Sequence, residues 1–538
     1  TWAQAGDLAR PATNPSLVPL RDGRVLLVGW ATPASPETAR PLTQVFDPAA
    51  GTWSDTATVP PVMPAGNALR LEGPTCGADC GKVLSVGGRA PRWNEGEQSW
   101  NWWPQPVAHL YDPRSGAWDT VGPTTYAWDH RATLTLLADG RVLVVGLDIR
   151  DVGGQMGSRG AAEVYDPADR SWQPAAPPRH ETSDVSATLL ADGSVLVVGS
   201  DVPADAYRAA TFHPSTPDPA HPGMVGHWVE ERPTSWPRRN HEATILPDGR
   251  VLVSGGFRTG PDHGGSDPPE GPDVAPPNPG PANSSTELFD PVSRRWATGP
   301  TMSFIRADHT ATLMACGVLA AGGVSGTIAN EFDGRYQPTD LAEVWDLGLF
   351  KWLPTNRSRA PRAQHGAVLL GDGQVLVAGG EAGSPPTSEV YEPACLGPLV
   401  TGVIPNAGPL GGGTRVTVLG AGFAKATRVS FGSRSVTAQP CPLVRQASDP
   451  PCFTVDAPDV ITVYNPAGER PGTVHVRVST ALGTSPEMAT DRFEYLPGEV
   501  PVLTLPTTPT VPSPPGPPGP SAPGDPPAGP VPPPAGPG

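Results

Sequence analysis

Three histidines recur at one register. His241, His309 and His365 each stand seven residues before the Asp, or Cys316, of a following turn, with Arg239, Arg306 and Arg362 close before them. Imidazoles gathered at one end of a strand set could hold a metal or an anion. The competing reading buries each ring in a seam, bonded to the backbone of its neighbour. Repetition alone does not supply the convergence that ligation needs, so the seam reading is favoured and no metal is assigned. A second cluster is Trp93, Trp100, Trp102 and Trp103 in RAPRWNEGEQSWNWWPQP (89–106). Four indoles offer a surface for stacking a sugar or docking a protein; equally, they could fold over one another as a cover. No nucleophile stands with a base, so no catalytic residue and no cofactor is expected. The stretch 257–284 carries Asp262, His263, Asp267, Glu270 and Asp273 among prolines and reads as a flap.

The six cysteines fall into three pairs. Cys76 and Cys80 flank one turn as CGADC, without the further His or Cys that zinc requires. Cys441 and Cys452 lie together late in the chain. Cys316 and Cys395 fall at the same rim of adjacent repeats, where a bond would staple a ring. Three disulfides imply an oxidising, extracellular or cell-surface location.

The elements that carry these residues repeat. NHEATILPDGRVLVSGG (240–256) has two apolar runs around Asp-Gly, the strongest short-range hairpin signal, whose turn requires positive φ. The unit returns at 19–30, 136–146, 189–200 and 369–380, with degenerate copies at 76–88 and 313–323. Between turn glycines the spacing averages about 58 residues. Downstream of most copies comes a strand, an Asp-Pro turn and a strand with Trp, as in VFDPAAGTW (45–53) and LFDPVSRRW (288–296). The fourth copy is looser, TFHP (211–214) with Trp228 delayed. The seventh ends VYEPAC (390–395) with no tryptophan, while the chain begins Thr1-Trp2. Residues 1–5 are therefore expected to supply the outer strand of the seventh unit, leaving no open seam.

Gly-Gly ending the second strand, then Tyr-Asp-Pro, then Trp resembles the kelch family over roughly residues 1–396. That resemblance implies a seven-bladed kelch-type β-propeller closed by the N-terminal strand. Such propellers serve mostly as interaction platforms, with a minority of enzymes, so the fold does not choose the function. After Cys395 short alternating strands suggest an immunoglobulin-like β-sandwich. Pro405 with GPLGGGTRVTVLGAGF, VSFG and Gly483-Thr484-Ser485 resemble the IPT/TIG family over 398–496. Residues 497–538, rich in Pro and Gly, read as a disordered linker or tail.

The whole chain is thus read as all-β. Its 63 Gly and 73 Pro far exceed the usual share, and its net charge of −16 over 538 residues argues against nucleic acid or an anionic membrane as partner. No apolar span suggests direct membrane insertion. Because the chain opens on a strand residue, a leader removed earlier is one expectation. The expected function is an extracellular binding or structural module facing a glycan or protein partner at the cell surface. The alternative is a copper-radical oxidase of the galactose oxidase type, which likewise joins a kelch-like propeller to an immunoglobulin-like domain. That resemblance implies a Cys–Tyr cross-link, another Tyr and two His; His475 is mid-strand, and the set is not assembled in the sequence.

Overall fold

The computed structural model describes residues 1–497 except 32–39, 61, 65–66, 95–98, 129–131, 153–154, 180–181, 183, 200–207, 236–237, 258–283, 326–336, 381–385, 438, 440 and 442–448. The proposed flap and the Pro-rich tail lie outside the described residues. Residues Thr1–Pro497 form one compact unit and Gly498–Gly538 another.

The repeats become seven four-stranded antiparallel sheets. The fifth is typical: Glu242–Ile245, Val251–Ser254, Thr286–Asp290 and Arg295–Thr298 pair in order. Second strands such as Val251–Ser254 are buried throughout. A sheet covered on both faces has no solvent side, so these strands read as continuous apolar runs rather than alternating ones. The first strand of each sheet lies beside the first strands of the sheets before and after it. Ala12–Pro19 of the first sheet also meets Gly366–Leu369 of the seventh, so the cycle closes around an axis.

The Asp-Gly turns differ from the two-residue form in which both central residues take positive φ. Only the glycine does so, at 86° in Gly23 and 90° in Gly249. Gly23 N–H donates to Leu20 O, and Leu20 N–H to Arg24 O, making a three-residue loop with glycine in the left-handed position. The aspartate acts through its carboxylate: Asp22 Oδ1 accepts Arg24 N–H and Asp248 Oδ1 accepts Arg250 N–H. At the Asp-Pro turns Asp47 and Asp290 cap in the same way.

Each sheet carries one cross-strand aromatic pair between its third and fourth strands. Phe46–Trp53, Tyr111–Trp118, Tyr165–Trp172, Phe212–Trp228, Phe289–Trp296 and Trp345–Trp352 stand in register. The seventh pair is Trp2 with Tyr391, because Trp2–Asp7 is the outer strand of the last sheet. Five of these indoles also tie neighbouring sheets together. Trp172, Trp228, Trp296 and Trp2 donate Nε1–H to the carbonyls of Val121, Ala176, Arg232 and Asn356. Trp53 donates to Ser388 Oγ across the first and seventh sheets. Cys316–Cys395, Cys76–Cys80 and Cys441–Cys452 are all disulfides.

Residues 399–496 form a β-sandwich. One sheet orders Leu399–Ile404, Arg415–Ala421, Val460–Tyr464 and Phe453–Ala457; the facing sheet is built on Gly472–Thr480 and Arg492–Leu496. Val418, Phe423, Ile461, Val476 and Phe493 pack between them. The sandwich sits on the Asp-Gly turns of the ring. Gly422 N–H donates to Gly371 O and Ala489 N–H to Pro247 O, and Arg70 pairs with Asp459 at 2.8 Å. It covers that end of the axis over a cavity of roughly 310 Å³, lined partly by Arg70, Glu72 and Asp459.

Candidate functional site

The sandwich lies at the Asp-Gly end, and the first strands begin at the opposite end. The three imidazoles lie just inside it, turned into the seams between sheets. His241 Nε2 shares a hydrogen bond with Ser186 Oγ of the previous sheet at 2.8 Å. His309 does so with Ser254 Oγ and His365 with Thr310 Oγ1, both at 3.0 Å. The partners are hydroxyls, not the backbone groups expected from the sequence. Burial, and then the nearby arginines, push His241 and His365 down to about 3 and His309 well below its usual value, so all three are neutral.

The Gly-Gly that ends each second strand makes room for this packing. A Cβ on Gly255 would lie 2.3 Å from Arg306 O and 2.9 Å from His309 Cε1; one on Gly256 would lie 2.8 Å from Arg239 O. The first glycine admits the next sheet, and the second admits the start of its own.

Arginine and glutamate complete the motif within each sheet. Arg306 Nη1 donates to Gly322 O and Leu341 O, and its Nη2 pairs with Glu343 at 3.1 Å, both side chains buried. Arg362–Glu389 and Arg238–Glu287 repeat the arrangement. Arg238 holds this register; Arg239, grouped with the others on sequence, instead sits over the Phe257 ring. The glutamates also accept backbone N–H groups of the turn leading into the first strand: Ser235 for Glu287 and Ser303 for Glu343. The sequence signal for these carboxylates is a Glu three residues before the turn acid, as in TELFD (286–290), AEVWD (342–346) and AEVYD (162–166). In the third sheet Glu163 pairs with no arginine among the described residues. Trp128 Nε1–H and Thr125 N–H serve it instead, and burial raises it to about 7.

Immediately before the imidazoles lies a polar arc that histidine spacing alone did not expose. Asp184, Asn240, Asp308 and Gln364 share the register and have φ of 51–52°; Asn14 matches them in the first sheet at 41°. Asp and Asn tolerate this left-handed conformation better than most residues. The backbone steps around the arc, with Asp308 N–H donating to Asn240 O and Gln364 N–H to Asp308 O. Asn240 Nδ2 donates to Asp308 Oδ1 at 2.5 Å. All four residues are half-buried, and protein packs closely around Asp308. Burial is the main reason that its carboxyl rises to about 6; burial and Asp308 together lift nearby Glu242 to about 8.

Two hairpins extend past the ring on this side. Gly88–Asn94 pairs with Ser99–Pro104, and Val142–Val152 with Gln155–Asp166. The tryptophan-rich stretch read as a loop is therefore a β-ribbon. Trp93 stands opposite Trp100, Trp102 opposite Pro91 and Trp103 opposite Ala90. Strand alternation puts positions 93, 100 and 102 on one face and 103 on the other. Trp102 and Trp103 are half-buried; the side chains of Trp93 and Trp100 lie outside the described residues.

Among the described residues the donors of a copper-radical centre do not come together. All six cysteines are in disulfides, leaving none to join a tyrosine, and His475 is hydrogen-bonded to Asp491 at 2.5 Å in the sandwich. Among the described residues no group of three or more His, Cys, Asp or Glu side chains could hold a metal ion.

Residues 398–495 match the IPT/TIG domain family, so the sandwich is an IPT/TIG domain. Comparison with functionally curated proteins finds no match. Among solved structures the chain is similar to a fungal alcohol oxidase of the AA5 family in complex with copper. The two are 14% identical, with a TM-score of 0.54 over 92% of this chain and 98% of that one. The similarity is one of all-β fold and carries no activity across.

Proposed function

We propose that the seven sheets are the blades of a kelch-type β-propeller, and that the protein is an extracellular module binding a glycan or protein partner at the cell surface. Its contact surface is the open mouth: the ribbon carrying Trp93, Trp100, Trp102 and Trp103, with the polar arc behind it. His241, His309 and His365 hold that mouth in shape from the seams below. The observation carrying this reading is asymmetry: the IPT/TIG domain covers one end of the axis, while both long hairpins stand at the other. Aromatic ribbons on a rigid ring give large contact area at small entropy cost. Three disulfides support an oxidising location.

The test is a glycan array together with surface-protein capture, comparing the full chain with Trp102→Ala and Trp103→Ala. Loss of signal in either folded variant supports the mouth as the contact; full retention in both removes it. A copper-radical oxidase is the second reading, resting on a likeness of fold alone to the AA5 alcohol oxidase. Copper uptake with peroxide release from primary alcohols would support it; metal-free protein without peroxide release would retire it.

A further inference from the structure

The fourth sheet departs from the five others whose third and fourth strands are joined by a turn. In those the residue after the paired aromatic is an acid, Asp47 and Asp290 among them, at a short turn. Here it is His213, and a thirteen-residue connection (214–226) leads to His227. The two histidines are directly opposite in the ladder, with rings stacked at 5.0 Å between centroids and 20° between planes. Neither accepts a backbone N–H of the connection through its ring as the acids do; His227 instead reaches Thr216 O within it.

Their hydrogen bonding leaves nitrogen lone pairs free. His227 Nδ1 faces Thr216 O at 3.3 Å; a carbonyl only accepts, so Nδ1 carries the proton and Nε2 presents its lone pair. The His213 ring makes no hydrogen bond to another described residue, although its backbone carbonyl accepts Thr216 N–H at 3.4 Å. Asp218 lies close to His227 but is engaged by His221 at 2.8 Å. Two half-buried imidazoles on paired strands form a bidentate donor set for a late first-row divalent ion, which takes imidazole nitrogen at about 2.0–2.1 Å.

We propose that His213 and His227 together bind one divalent transition-metal ion, of the zinc, nickel or copper(II) class, with water filling the remaining positions. The site lies on the fourth sheet, away from the mouth, and does not depend on the partner proposed above. The test uses the full, disulfide-intact chain freed of metal by chelator and titrated calorimetrically with Ni²⁺ alone. One equivalent is expected to bind. His213→Asn and His227→Asn should each weaken it at least about tenfold, while His221→Asn leaves it unchanged within about twofold. Electron paramagnetic resonance with one equivalent of Cu²⁺ should report two imidazole nitrogens, falling to one in either variant. Unchanged melting curves verify that the variants fold. No Ni²⁺ binding up to millimolar concentration, or binding that survives the double variant, overturns the proposal.

Discussion

Trp2 and Tyr391 pack ring to ring at 5.1 Å although they lie at opposite ends of the repeat region. The indole Nε1–H reaches on to Asn356 O at 2.9 Å, in the connection that follows the sixth sheet. One side chain thus completes the seventh sheet and fastens it to the sixth. Trp2→Ala removes the packing and the donor together. It should cost about 2–4 kcal/mol in equilibrium unfolding, comparable with other large aromatic truncations. Trp2→Phe, which keeps the packing and loses only the donor, should cost about 1 kcal/mol.

The Cys316–Cys395 disulfide links adjacent sheets near the same closure and spans 79 residues. Chain-entropy estimates for a loop of that size give about 4 kcal/mol. Replacing both cysteines with serine should lower the unfolding midpoint by more than opening Cys76–Cys80, whose separation is 4. Denaturant titration of the two double variants side by side provides the comparison.

Burial gives the stability profile two opposing limbs. Glu163, Asp308 and Glu242 are raised to about 7, 6 and 8. Their contribution is fully present below the ordinary carboxylate range and is lost as pH rises through those values. His241 and His365, lowered to about 3, act oppositely: their contribution is present above 6.5 and is lost as pH falls towards 3. Stability should therefore peak near about pH 6 and fall on both sides. Glu163→Gln should remove a loss on the order of 3 kcal/mol spread between about pH 4.5 and 7, the equivalent of its rise from 4.5 to about 7, of which about 1.4 kcal/mol falls above pH 6. Melting temperatures from pH 4 to 9 test both limbs; a profile unchanged by Glu163→Gln would contradict this assignment.

The buried Arg306–Glu343 pair invites a double-mutant cycle. Arg306→Met alone leaves Glu343 buried beside only one backbone N–H and should cost about 3–5 kcal/mol. Adding Glu343→Gln should restore part of it, since a neutral amide remains in place of a stranded charge. A strictly additive double variant would show that the two residues do not act as a pair.

What could be read from the sequence follows how local its signal is. Asp-Gly and Asp-Pro turns announce themselves within a few residues, so the hairpins were legible, and Trp2 was found through the gap after Tyr391. The histidine register was also visible, but not the direction of the rings, because Ser186 and Ser254 each lie 55 residues from their partners. The Arg–Glu pairs escaped for the same reason: Arg238 and Glu287 meet only once four strands are folded. Arg239 was grouped wrongly because adjacent arginines are indistinguishable until strand register is known. The tryptophan ribbon was hidden by the Pro, Gly and charged residues that usually mark a loop.

The central claim is that the N-terminal strand completes the seventh sheet. Amide hydrogen exchange by residue measures this directly. The paired amides of Trp2–Asp7 should exchange as slowly as those of Thr387–Tyr391, and both should quicken together in Trp2→Ala. Exchange of the Trp2–Asp7 amides at the rate of free chain, with Thr387–Tyr391 still protected, would contradict the account.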